Sequence, residues 1–501
     1  MIMSVMNNKK LFITGWLVFL MLSTSLQANQ SSEFNQWLKQ EKESFQEYKD
    51  KRDKEFTQFL KTQWLEMQTM QGLVRDKIPK PYVMPVAAPE PVKLPDKPVP
   101  KIVPDTRPEQ IPSQEKIPDE PVRPEAVKPV KVTLPEGKRV QIMFYGHDIQ
   151  VSYDQKLKTQ LKGRINQNTI SQFWSDLSRA NYDFLIEQLQ NLHNEMGLND
   201  WAYIQLINQV AKSIYPHQQN EQVLLSWFAL VKESYQVRIA YDTGQVYLLM
   251  PSMQSLYAAP YFTFDGVRYY AISLGGENQQ PGNVHTYNGQ YPGANKVIDM
   301  RLRGTIKTAR KDVKKKLKFN YKNTSYEVDA EYDQNIVQFL NTYPQMDIAM
   351  YYVAKVDYST GQQLLKELRP LVKGKSELEA VNLLLRFVQT AFTYKTDEKQ
   401  FGKENYLFFE ETLHYPYSDC EDRSVFFAWL VRNLLNLEVV GLDYPGHIAA
   451  AVAFKQSVKG DSVMVKGKRF VVTDPTYINA GAGATMPGYR GKSPKIIHTG
   501  F

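Results

Sequence analysis

The chain has 501 residues, 43% of them hydrophobic, and a formal net charge of +8. That length and composition can bury more than one core, so two globular units with appendages are expected. A single cysteine excludes an internal disulfide, and seven histidines without ligand spacing mark no metal site and no cofactor.

In chain order, Lys9 and Lys10 precede an apolar run from Leu11 to Leu22, and small and polar residues follow to Ala28. Residues 1–28 therefore read as an export signal. The run is short for a transmembrane helix and no cysteine follows it to carry a lipid. The expectation is a periplasmic or cell-envelope protein, membrane-tethered if the signal stays uncleaved; Leu26 is large for its place before the cleavage site. Export removes nucleic acid from the expected partners.

Residues 29–75 read as one amphipathic helix of coiled-coil type with an eleven-residue repeat. Phe34, Phe45, Phe56 and Met67 carry the period, accompanied by Trp37, Tyr48, Phe59 and Met70. Such a period keeps an apolar stripe on one face of a nearly straight helix, and the stripe needs cover. The cover is either this chain's own globular part, a second copy, or another envelope protein. Residues 76–136 hold 16 of the chain's 28 prolines and no glycine between Pro79 and Pro135. They read as a stiff proline-rich linker that would reach about 180 Å in polyproline geometry.

Beyond the linker the sequence repeats itself. Tyr153-Asp154-Gln155 answers Tyr332-Asp333-Gln334, and the segment from Asn220 into the strand after Gln245 answers the segment from Cys420 into the strand after His447. The expectation is a degenerate α+β unit over residues 137–300, a basic linker over 301–323, and a second α+β unit over 324–501. Ten Lys and Arg between Arg301 and Lys322 read as a solvated linker face suited to an anionic surface such as lipid headgroups or cell-wall polymer.

The chemistry lies in the second unit. Cys420 sits in YSDCEDRS, a polar turn that runs into an amphipathic helix, where first-turn N–H groups and the dipole favour a thiolate. His447 follows a Pro-Gly turn at the mouth of an apolar strand, and Asp474 ends another strand before Pro475. Cys, His and Asp in that order form a candidate nucleophile, base and orienting acid. Ser418 or Asp419 is the expected helix cap, and Asp422 or Arg423 either fixes the cysteine turn or reads a substrate charge. His414 lies nearer to Cys420 in sequence but precedes the helix, so His447 is preferred as the base. The negative charge of Asp419, Glu421 and Asp422 opposes a low thiol pKa.

The segment from about Ser376 to Pro487 resembles the transglutaminase-like branch of the papain-like cysteine enzymes, in particular the bacterial transglutaminase-like cysteine proteinases. The resemblance rests on Phe392 to Asp397, the DCEDRS turn, the GH-x-A-x-V strand from Gly446 to Val452, and the strand end at Asp474-Pro475-Thr476. It implies a papain-like, transglutaminase-like fold with Cys420 as nucleophile, His447 as general base and acid, and Asp474 orienting the imidazole. The sequence lacks the Trp that follows the His in protein-crosslinking transglutaminases, so hydrolysis of an amide bond in an envelope peptide or protein is expected before acyl transfer. Tyr415, Tyr417, Tyr444 and Tyr477 flank the triad and are candidate substrate-binding residues. At the triad positions the first unit has Asn220, Gln245 and Ser273, which expects a unit that binds or braces without cleaving. The competing reading is an envelope scaffold with a silent triad.

Overall fold

The computed structural model describes residues 9–74, 80, 81, 83, 85–87, 137–274 and 281–499, with side chains from residue 34 onward. Residues 1–8 of the expected export signal and nearly all of the expected proline-rich linker lie outside the described residues. The architecture is α+β: two antiparallel sheets, each packed against its own helices.

The expected helix of residues 29–75 is both longer and shorter than its pattern. It runs from Lys9 to Thr62, and Ala28 lies inside it. Met67 and Met70, the last members of the repeat, fall beyond its end. Leu65–Gln68 instead forms an antiparallel edge strand against Asn283–Thr286, because the sheet edge of the first unit offers backbone groups that a longer helix would leave unpaired. The stripe divides in the same way. Phe56 and Leu60 are buried, with Phe56 packed edge-on to Trp174 and Tyr291, while Phe34, Trp37, Phe45 and Tyr48 stay exposed. Buried Asp53 pairs with buried Lys232, so the docked half is also held by an ion pair. Among the described residues no helix is long and apolar enough to cross a membrane.

The two sheets share one strand order. In the first unit it runs Asn283–Thr286, Arg238–Tyr241, Val246–Pro251, Val267–Ala271, Tyr261–Phe264; in the second, Lys495–His498, Glu438–Tyr444, His447–Ala453, Lys468–Thr473, Ser462–Val465. All neighbours are antiparallel in both. A helix packs across the central strands of each sheet, Gln219–Lys232 in the first and Cys420–Leu435 in the second. A β-hairpin precedes each set of helices, Lys138–Phe144 with His147–Tyr153 and Asp312–Tyr321 with Thr324–Asp333. The repeated Tyr-Asp-Gln has a physical reason. Asp154 and Asp333 each close a hairpin and cap the next helical turn, accepting from the N–H two residues on, Lys156 at 3.0 Å and Asn335 at 2.9 Å.

That second hairpin corrects the basic linker of residues 301–323 from Asp312 onward. Asp312–Tyr321 is a strand whose Val313, Leu317 and Phe319 turn inward while Lys314, Lys316 and Lys318 turn outward. Opposite them stand Glu331, Asp329 and Glu327 in turn, with Lys316 3.0 Å from Asp329 and 2.6 Å from Glu327. Lys314, Lys316 and Lys318 thus belong to a cross-strand ladder of mixed charge.

Candidate active site

The nucleophile turn is built by the helix Cys420–Leu435 and its approach. Asp419, extended at φ −114° and ψ −151°, is the cap residue, and Cys420 begins the first turn. Asp422 fixes this turn, accepting from the N–H of Asp419 at 3.2 Å and of Leu407 at 2.9 Å. Arg423 does so from beneath. Fully buried, it donates to Ser418 Oγ at 3.2 Å, Phe392 O at 2.7 Å and Gln389 O at 3.4 Å, tying the turn to the helix Glu377–Ala391. Neither side chain faces solvent, so both hold the loop.

His447 opens the strand His447–Ala453 after a two-residue turn in which Gly446 takes φ +73°, a conformation glycine adopts without strain. Its Nε2 lies 2.8 Å from Asp474 Oδ2, and both residues are 2% exposed. The second oxygen of Asp474 accepts from Thr476 Oγ1 at 2.6 Å and from the N–H of Thr476 and Tyr477 at 3.0 and 3.2 Å. Burial alone would raise this carboxyl; the adjacent imidazole and these donors bring it below the usual range. Gln389 braces the same loop through the carbonyls of Asp474, Tyr477 and Ala480.

The helix that Cys420 opens packs against that strand, Ser424 Oγ donating to the carbonyl of Ile448, the residue after His447, at 3.1 Å, and the backbone N–H of Ile448 acts to lower the thiol's pKa. His447 Nδ1 is buried and without a hydrogen-bond partner among the described residues, which leaves it as the ring nitrogen free to serve a thiol. The thiol itself donates to Glu421 at 3.1 Å. Burial, then the charges of Glu421 and Asp419, hold it well above its ordinary pKa, with Lys80 opposing them. In this arrangement the His447–Asp474 pair is formed, and the thiol is protonated and bonded to Glu421.

Of the candidate tyrosines, Tyr444 is in the site, its ring 6.4 Å from His447. Tyr417 is half-buried two residues before the cap and carries Lys395 over its ring at 4.7 Å. Tyr477 serves through its backbone N–H, and its buried ring belongs to the core rather than to a substrate surface. Tyr415 turns its hydroxyl to Asn341, and His414 bonds Tyr332. Sequence reasoning missed Tyr489, whose ring stacks on His447 at 4.8 Å and 26° and whose hydroxyl is pushed up to about 12 by burial and by the charges at Cys420 and Asp474. No motif marks it, because it lies past the last strand signal of the segment.

The other missed feature is a buried carboxylate cluster. Asp397, Asp419, Glu421 and Asp422 are each at most 2% exposed, and Glu404 stands at their edge. Burial and mutual repulsion hold Asp397, Glu421 and Asp422 well above the usual carboxylate range. Oxygens of Asp397, Glu404 and Glu421 come within 4.8 Å of one another, hard-ligand chemistry that could hold a cation. Here the cation among them is the ammonium of Lys80, 3.0 Å from Asp419, 2.6 Å from Glu404, 3.6 Å from Asp397 and in contact with Glu421. Asp397 lies in the quoted Phe392 to Asp397 stretch, so sequence held one member of the cluster without its role.

The equivalent place in the first unit follows from strand register. Ala271 pairs with Leu249 as Val472 pairs with Ala451, which sets Gln245 at the place of His447 and Ser273 at that of Asp474. Asn220 accepts from the N–H of Val246 at 2.8 Å and donates to Gly244 O at 3.3 Å. Gln245 and Ser273 line one cavity of about 400 Å³ with Asn208, Lys212 and His217. None of the three substituted groups forms a thiolate or an imidazolium.

Compared with protein-family models, curated proteins and solved structures, the chain matches none.

Proposed function

We propose that the second unit is an exported, transglutaminase-like cysteine hydrolase of papain-like fold that cleaves an amide bond in an envelope peptide or protein. The observation that carries this reading is the pairing of His447 with Asp474 beside a helix-start cysteine, with the remaining ring nitrogen unpartnered. In the proposed reaction His447 takes the Cys420 proton and the sulfur attacks the carbonyl carbon, forming the C–S bond. The tetrahedral oxyanion is met by the first-turn N–H of Cys420, a donor that a helix does not satisfy internally. His447 then gives its proton to the leaving amine as the C–N bond breaks. Water, deprotonated by His447, splits the thioester and restores the thiol. The first unit, with Asn220, Gln245 and Ser273, is read as a non-catalytic brace or binding module.

Asp474→Asn tests the reading. The amide keeps the size of the side chain, but its NH₂ or neutral oxygen no longer stabilises an imidazolium. Hydrolysis of a fluorogenic peptide amide is expected to fall about 10³- to 10⁴-fold in kcat with little change in KM. Equal rates in the two proteins would remove His447 and Asp474 from the chemistry.

A further inference from the structure

The described residues between Lys80 and Ala87 touch the second unit at both ends of the triad. At one end Lys80 enters the carboxylate cluster that flanks Cys420, and Tyr394 donates to the carbonyl of Pro81 at 2.9 Å. At the other end Val86 makes a parallel bridge with Ile478, just past Asp474. There the N–H of Ala87 donates to Ile478 O at 2.8 Å and Asn479 donates to Ala87 O at 3.2 Å. Backbone pairing at one end and a charged side chain in a matching pocket at the other is how an extended peptide is bound. The pocket is built rather than incidental. Asp419 is fully buried with its Oδ1 unpartnered among the described residues, and the Lys80 side chain is 8% exposed. Cys420, between the two ends, is 0% exposed.

We propose that Lys80 with Pro81 at one end and Val86 with Ala87 at the other act as an internal ligand of the candidate active site: they hold its two ends as an extended substrate would, and mark the cleft between as one that takes a peptide with a lysine in the carboxylate pocket. This rests on reading Cys420 as the nucleophile, and deepens it by naming the substrate class. A strap held at both ends keeps water from the cleft, in line with burial being the largest cause of the raised thiol pKa. It also gives the proline-rich stretch a purpose besides reach: Pro81 and Pro85 pre-set an extended backbone at small entropic cost.

The test reads accessibility of the thiol, not hydrolysis, so its failure is distinct from failure of the hydrolase reading. Cys420 is the chain's only cysteine, so iodoacetamide uptake measured by intact mass reports this residue alone. Lys80→Glu in the full chain is expected to speed alkylation at neutral pH at least tenfold. Charge alone gives the opposite sign, since losing a cation beside the thiol raises its pKa and slows the reaction. Ala87→Pro removes the N–H given to Ile478 without touching the pocket, and is expected to speed alkylation as well; it carries the test if Lys80→Glu does not fold. A synthetic peptide of residues 79–88 should slow alkylation of both variants again, and the same peptide with methionine for its lysine should not. Unchanged or slower alkylation in Lys80→Glu, or no change in Ala87→Pro, overturns the strap. Protection by calcium chloride without protection by the peptide overturns it too, and makes the cluster a metal site.

Discussion

Cys420→Ala is expected to abolish amide hydrolysis, lowering kcat by about 10⁵- to 10⁶-fold, while leaving the protein folded. The substitution removes one sulfur from a buried helix start. The thiol's one donated hydrogen bond goes to Glu421, whose neighbour Lys80 continues to serve it. The cost in stability should be about 1 kcal/mol or less. The two effects separate cleanly by measuring peptide-amide turnover beside a thermal melt. Retained turnover in the purified variant would end the reading of Cys420 as nucleophile.

Arg423→Leu is expected to act the other way, on the fold first. The guanidinium is fully buried, and burial pushes it down to about 10, so it remains charged at neutral pH. Replacing it removes its hydrogen bonds to the carbonyls of Phe392 and Gln389 and one of the positive charges near Asp419 and Asp422. The loss should be about 3–5 kcal/mol, the range for breaking a buried charged network from one side. Chemical denaturation of the full chain is the check, and a variant as stable as the parent would show that the turn is held by Asp422 alone.

The His447–Asp474 pair and the helix-start position of Cys420 were readable because each residue announces itself at an element boundary: a cysteine before an apolar helix, a histidine after Pro-Gly, an aspartate before proline. The repeat was readable for a related reason. Gln245 and Ser273 can be aligned with His447 and Asp474 because hairpin turns and strand ends carry Gly, Asp and Pro in step with the fold, and the strand registers lay those positions out in the same way. Three features were hidden by competition between signals. Lys314, Lys316 and Lys318 alternate with Val313, Leu317 and Phe319 as a half-buried strand does, but a dense positive run masks a period of two. The eleven-residue pattern carries on through Met67 although the helix stops at Thr62, because pairing with Asn283–Thr286 is tertiary and leaves no local mark. Lys80 sits in a stretch whose proline content reads as spacer. Its pocket is assembled from Asp397, Glu404, Asp419 and Glu421, and Lys80 lies 339 residues before Asp419.

The central claim is that Cys420 and His447 act as one ionisable pair once the cleft is open. The pH profile of Cys420 alkylation in Ala87→Pro, which keeps Lys80, tests it without knowledge of the substrate. Opening the cleft removes burial, the largest cause of the raised thiol pKa, and lets the unpartnered Nδ1 of His447 take the proton. The account predicts alkylation that rises through an inflection below pH 7 and loses that inflection in the double variant with His447→Ala. A single inflection near or above pH 9, the same with and without His447, would contradict it.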